Sequence, residues 1–140
     1  DDVESRGLGD VYKRQVHDAA RPFITPEEIE TVCADAEKYG AATLAVPVKD
    51  TIKVAAADGT VCATPERSTL RAIQTPQVFR LSLYKEALCL AKNAGKQYTD
   101  DCQLIEAAGG KVYLTPGDYK NIKITTPEDL LVAEAFAVEK

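Results

Sequence analysis

Val16–Pro22, VHDAARP, is the stretch on which the reading of this chain turns. An apolar residue leads into the single histidine of the sequence, then an aspartate, two alanines, an arginine and a proline. A strand that runs into a tight loop gives this order. So does a place where backbone passes close to a ligand, with an anion and a cation on either side.

The surroundings narrow the choice. At 140 residues and 45% hydrophobic the chain suits one globular domain. Seventeen Lys and Arg against 22 Asp and Glu give a formal charge of −5, which argues against a nucleic-acid or membrane-surface binder. No apolar run approaches the roughly 20 residues of a membrane span. The four cysteines, Cys33, Cys62, Cys89 and Cys102, are scattered without a CxxC pair. They read as small buried residues of a reducing compartment and not as zinc ligands. Upstream of VHDAARP, residues 1–15 carry charges without period, and Lys13, Arg14 and Gln15 stand where a buried strand would carry Val, Ile or Leu. This stretch is expected to be a non-family leader, artefactual or disordered, and foreign to the fold.

Downstream, Thr25, Pro26 and Glu28 form a capping box with proline at the first helical position. Ile29, Val32, Cys33 and Ala36 continue at helical spacing up to Gly40. AATLAVPV (41–48) is a continuous apolar run and predicts a buried strand. Alternating runs around Asp58-Gly59 predict a hairpin within 51–64. PERSTLRAIQTPQVF (65–79) is polar and proline-punctuated, which predicts no core element. Helices are expected from Ser82 to Gly95, after Thr99-Asp100-Asp101, and from Thr126-Pro127 onward. KVYLTP (111–116) and NIKIT (121–125) read as strands. Alternating strands and helices predict an α/β class with a largely parallel sheet.

In such sheets ligands sit beyond the carboxyl ends of strands. His17–Arg21, Lys49-Asp50-Thr51 and Asn121–Thr125 fall there and supply an acid, bases and hydroxyls. Together they suit a phosphorylated ligand and a metal ion, with lysine as a point charge and aspartate as a Mg²⁺ or hydroxyl partner. A Ser-His-Asp hydrolase is disfavoured because no GxSxG accompanies His17. No Walker loop is present and no GxGxxG follows a strand.

VHDAARPF (16–23), AVPVKDTIK (45–53), TPERSTLRAIQTPQVF (64–79), TDD (99–101) and NIKITTPEDL (121–130) together resemble the C-terminal part of the 2-C-methyl-D-erythritol 4-phosphate cytidylyltransferase family, from Val16 to Lys140. The resemblance implies an incomplete Rossmann-like nucleotidyltransferase sheet, helices on both faces, and a protruding β-hairpin dimerisation arm over 48–69. It implies transfer of CMP from CTP to methylerythritol phosphate, releasing pyrophosphate, in non-mevalonate isoprenoid synthesis in the bacterial cytoplasm, a plastid origin staying open. By the same resemblance Arg67 and Lys123 are catalytic, Lys123 orienting the attack beside the reacting phosphates and Arg67 holding the methylerythritol phosphate. Asp18, Arg21, Thr51, Thr75, Thr99 and Thr125 bind substrate; Ala19, Asp18 and Lys123 face the nucleotide; and Asp18 lies at Mg²⁺. Thr51 and Arg67 would serve the site of the second subunit of a homodimer. In the family a glycine-rich nucleotide loop precedes VHDAARP, and residues 1–15 do not match it. The chain is therefore expected to be incomplete and inactive alone, and poorly soluble. Rival readings are a ribitol-5-phosphate-type pentitol cytidylyltransferase, a non-catalytic dimerising remnant, and a reading frame without a role.

Overall fold

The computed structural model describes residues 13–138. Two strands form the centre: β2 (Ala41–Pro47) and β5 (Arg71–Arg80). They pair antiparallel, β1 (Lys13–Val16) lies antiparallel on the far side of β5, and β6 (Tyr113–Pro116) lies parallel to β2. The sheet order is β1-β5-β2-β6, so among the described residues only one pairing is parallel. The expected largely parallel sheet is corrected to a mixed one.

Side-chain alternation along β2 and β5 sends neighbours to opposite faces. Ala42, Leu44 and Val78 meet Val32 and Ala36 of α1 (Pro26–Tyr39) on one face. Ala41 and Phe79 meet Tyr84 and Ala87 of α2 (Leu81–Ala94) and Leu104 and Ile105 of α3 (Asp101–Ala107) on the other. The helices thus cover both faces, as expected. α1 begins as its sequence predicts: the Thr25 hydroxyl accepts from Glu28 N–H at 3.2 Å, and the Glu28 carboxylate accepts from Thr25 N–H at 3.0 Å. Gly40 closes the helix at φ 93°, a conformation that costs glycine least.

Three local expectations fail for identifiable reasons. The 65–79 stretch, read as loop, contains the ten-residue central strand β5. Its register with β2 breaks between Thr43 and Ala45, so Pro76, after a cis peptide at Thr75, sits where no ladder hydrogen bond is demanded of it. The Thr43 hydroxyl donates to the Gln74 carbonyl at 3.1 Å across this irregularity. NIKIT is no strand; its backbone bonds go to a neighbouring loop, Ile124 N–H donating to Ala20 O at 2.9 Å. Residues 1–12 lie outside the described residues, but Lys13–Gln15 are not foreign to the fold, because they form β1. Among the described residues β1 is the outer strand of the sheet, and its polar side chains are partnered: Lys13 pairs with Glu37 of α1 at 2.7 Å, and Gln15 Nε2 donates to Cys33 Sγ at 3.3 Å. The predicted hairpin is present as β3 (Val54–Ala55) and β4 (Val61–Ala63), a separate two-stranded ribbon. α4 (Pro127–Val138) closes the described chain.

Candidate active site

The loop after β1, the QTPQ part of β5 and the NIK segment are tied into one polar web. Asp18 N–H donates to the Thr75 hydroxyl at 3.0 Å, and that hydroxyl lies 2.9 Å from His17 Nδ1. His17 Nε2 is 3.1 Å from the Arg21 carbonyl, which can only accept. The neutral ring therefore carries its proton on Nε2, and Nδ1 accepts from Thr75. Arg21 reaches two segments, with Nε 3.2 Å from Asp18 Oδ2 and a terminal nitrogen 2.7 Å from the Asn121 carbonyl. Asn121 is fully buried and donates to Thr75 O at 2.9 Å and to Gln74 Oε1 at 3.3 Å. Gln74 in turn donates to Asp118 O at 2.9 Å. A buried amide left without these partners would be costly, so Asn121 fixes where the next residues go.

What it fixes is Lys123. The ammonium lies 3.5 Å from Asp18 Oδ2, so one carboxylate oxygen faces two cations. This cluster opens onto a cavity of about 780 Å³, whose lining includes Asp18, Arg21, Thr75, Thr99 and Lys123. Cations, hydroxyls and a carboxylate around one concavity can hold a phosphate and orient hydroxyl groups beside it.

Five of the predicted residues are therefore brought together. The others are not. Thr125 takes no part in the cavity wall; its N–H and hydroxyl donate at 2.9 and 3.1 Å to Asp129 Oδ2 in the first turn of α4. Ala19 is exposed and outside the lining. Thr51 and Arg67 lie outside it too, with Arg67 donating to Lys49 O at 2.9 Å. Sequence reasoning passed over His17, Asn121 and Gln77 as individual site residues. Gln77 and Asn121 are held by partners distant in sequence, Asp100 for the first and Gln74 and Thr75 for the second, so no local signal marks them.

The perturbed groups near the cavity are not reactive ones. Burial, helped by the carboxylates of Asp100 and Glu106, pushes the Cys102 thiol up to about 12. It stays protonated at neutral pH and is no nucleophile. Burial and the nearby Asp101 carboxylate raise the Tyr84 phenol as well. Among the described residues no three His, Cys, Asp or Glu side chains gather as a metal cage. The single carboxylate of Asp18 fits Mg²⁺ only where ligand phosphates complete the coordination, which is how Mg²⁺ is commonly held. No helix among the described residues is long and apolar enough to cross a membrane.

The family model described as IspD, 2-C-methyl-D-erythritol 4-phosphate cytidylyltransferase, matches residues 10–139. A protein of that name from Bacillus licheniformis is 57% identical over 121 residues, covering 86% of this chain and 52% of the relative. Another, from Desulforamulus reducens, is 50% identical over 128 residues, covering 91% and 55%. The crystal structure of the enzyme of that name from Thermus thermophilus superposes with a TM-score of 0.81 at 37% identity, covering 91% of this chain and 62% of that one. The chain spans about half the length of the curated relatives it matches.

Proposed function

This chain belongs to the 2-C-methyl-D-erythritol 4-phosphate cytidylyltransferase family, and from that premise we propose that its cavity is the polyol-phosphate side of a site that transfers CMP from CTP to methylerythritol phosphate. The observation that carries the reading is Lys123, held 3.5 Å from Asp18 at a cavity that also offers Arg21, Thr75 and Thr99. In the reaction an oxygen of the methylerythritol phosphate attacks the α-phosphorus of CTP. The bond from that phosphorus to the bridging oxygen breaks, and pyrophosphate leaves with the electron pair. Such transfer asks chiefly for alignment and for positive charge where negative charge gathers.

Lys123 supplies that charge as a compact ammonium on the attacking phosphate. Asp18 keeps Lys123 in register and accepts from substrate hydroxyls; it would also hold Mg²⁺ together with ligand phosphate oxygens, and the ion offsets phosphate charge when bound. Arg21 holds the loop and lends the phosphate a second cation. Thr75 and Thr99 line the polyol, with Thr125 behind Lys123 and Ala19 beside the nucleotide. Thr51 and Arg67 act on the site of a second protomer, which the exposed arm over 48–69 would embrace. Free cysteines suit the reducing cytoplasm of a bacterium.

The test is a titration of the chain with methylerythritol phosphate followed by amide NMR. Shifts at Asp18, Thr75, Thr99 and Lys123 are expected, with Lys123→Ala weakening binding at least tenfold. Unmoved resonances at these four positions would overturn the reading. Tighter binding of ribitol 5-phosphate would move it to a pentitol substrate.

A further inference from the structure

One wall of the cavity is left unused by the phosphate-facing cations. Ile73, Thr75 and Gln77 of β5 all line the cavity. Gln77 is only 4% exposed, so its amide is not a surface group. Its Nε2 donates to Asp100 Oδ2 at 3.3 Å. Asp100 is itself fixed, because its other oxygen accepts from Gln103 N–H at 2.9 Å as the N-cap of α3. The carboxylate can only accept, so this contact decides the orientation of the Gln77 amide: NH₂ toward Asp100. The carbonyl Oε1 of Gln77 is met by no donor among the described residues, and Gln77 lines the cavity.

We propose that Gln77 determines specificity for the polyol end of the ligand: Oε1 accepts a hydrogen bond from a ligand hydroxyl, and Asp100 holds the amide the right way round. The inference rests on the polyol-phosphate reading and adds a recognition element to it. A hydroxyl is the group that fits. A phosphate dianion has no proton to give Oε1, and the carboxylates of Asp100 and Asp101 on the same lining would repel it. A hydroxyl donates, and it removes the cost of leaving a largely buried acceptor unpaired. The cavity is thereby divided, with phosphate at Lys123 and hydroxyl at Gln77. A site built around a buried acceptor discriminates more strongly against a ligand that lacks the donor than an apolar pocket does.

The experiment compares two probes, methylerythritol phosphate and inorganic phosphate, against the chain and its Gln77→Leu and Asp100→Asn variants by calorimetry and amide NMR. Gln77→Leu should weaken methylerythritol phosphate about ten- to a hundredfold while inorganic phosphate binds within about twofold of the unsubstituted chain. Asp100→Asn lets the amide turn over and should give a smaller loss with the same selectivity. Equal binding of methylerythritol phosphate to the unsubstituted chain and Gln77→Leu overturns the proposal and leaves the polyol-phosphate reading intact. Equal weakening of both probes overturns it too, since that marks a merely structural role. If the unsubstituted chain binds neither probe, the reading and the inference fall together. Should Gln77→Leu lose its dispersed spectrum, Asp100→Asn decides by itself: a selective loss supports the proposal, and unchanged affinity sinks it.

Discussion

Lys123 and Arg67 are both cations that the family resemblance directs at phosphate, yet the molecule holds them in opposite ways. Lys123 follows a fully buried asparagine whose amide bonds β5 and whose carbonyl is taken by Arg21, a hundred residues away in sequence. Its segment has nowhere else to go. Arg67 sits in a short 3₁₀ turn (Arg67–Thr69), and its guanidinium rests on Lys49 O at the base of the hairpin. Partners in that region are local: Lys53 donates to Thr64 at 2.9 Å, and Thr60 N–H donates to Asp58 at 2.9 Å. One region is a fixed wall made by long-range polar contacts. The other is a ribbon ordered from within, whose apolar side chains find no cover in a single chain. A fixed wall can position a group for chemistry alone. A self-ordered ribbon positions its group only against something that receives it.

The widest gap between the two regions should show in stability. Asn121→Leu removes donors from Gln74 Oε1 and Thr75 O in a buried site. At about 1–3 kcal/mol for each stranded acceptor, a loss of about 2–6 kcal/mol is expected. Arg67→Ala removes an exposed contact and should stay within about 0.5 kcal/mol. Urea denaturation of both variants checks the pair. Similar midpoints for the two would mean that the web is no stiffer than the ribbon.

What the sequence revealed follows the same division. Elements whose cause is local were legible: the Thr25–Glu28 box, the apolar run of β2, the Asp58-Gly59 turn. β5 was not, because its buried Gln74, Thr75 and Gln77 are satisfied by Asp118, Asp18, His17 and Asp100, and no window of sequence contains those partners. NIKIT imitates a strand through its alternation, while Asn121 commits it to a loop. In the site, Asp18, Arg21, Thr75, Thr99 and Lys123 gather as their motifs suggested. Thr51 and Arg67 stand outside the cavity of their own chain, Arg67 on Lys49 O. Thr125 shows how a hydroxyl in the right motif can be committed to a neighbouring carboxylate, that of Asp129, instead.

A smaller effect separates the regions by acid. Asp129, capping α4 beyond Lys123, and Asp58, in the hairpin turn, both have pKa values below the ordinary 3.8; backbone hydrogen bonds from Thr125 and Thr126 lead for the first, the Thr60 hydroxyl for the second. A depressed carboxylate adds stability that is complete above its unfolded value and fades as pH falls through the lowered folded one. Below pH 3.8, then, the amides of Thr125, Thr126 and Thr60 should lose exchange protection. The hairpin amide should lose it first, because the ribbon has no long-range web behind it. Loss at Thr125 before Thr60 would reverse the ranking of the two regions.

The smallest effect on the single chain is the one that tests what receives the ribbon. Val61 is 60% exposed and Val54 45%, with Ile52 beside them at 40%. Val61→Ser removes apolar surface already in water, so the stability of one chain should hardly move, within about 0.5 kcal/mol. If a second protomer covers the arm, the same change exposes the loss at both copies of a twofold contact. At about 1–2 kcal/mol for each buried valine, dimer association should weaken at least tenfold. Sedimentation equilibrium reads this directly: a dimeric mass for the unsubstituted chain and a shift toward monomer for Val61→Ser. An unsubstituted chain that sediments as a monomer throughout would leave Arg67 and Thr51 without a site to serve, and the phosphate would then belong to Lys123 and Arg21 alone.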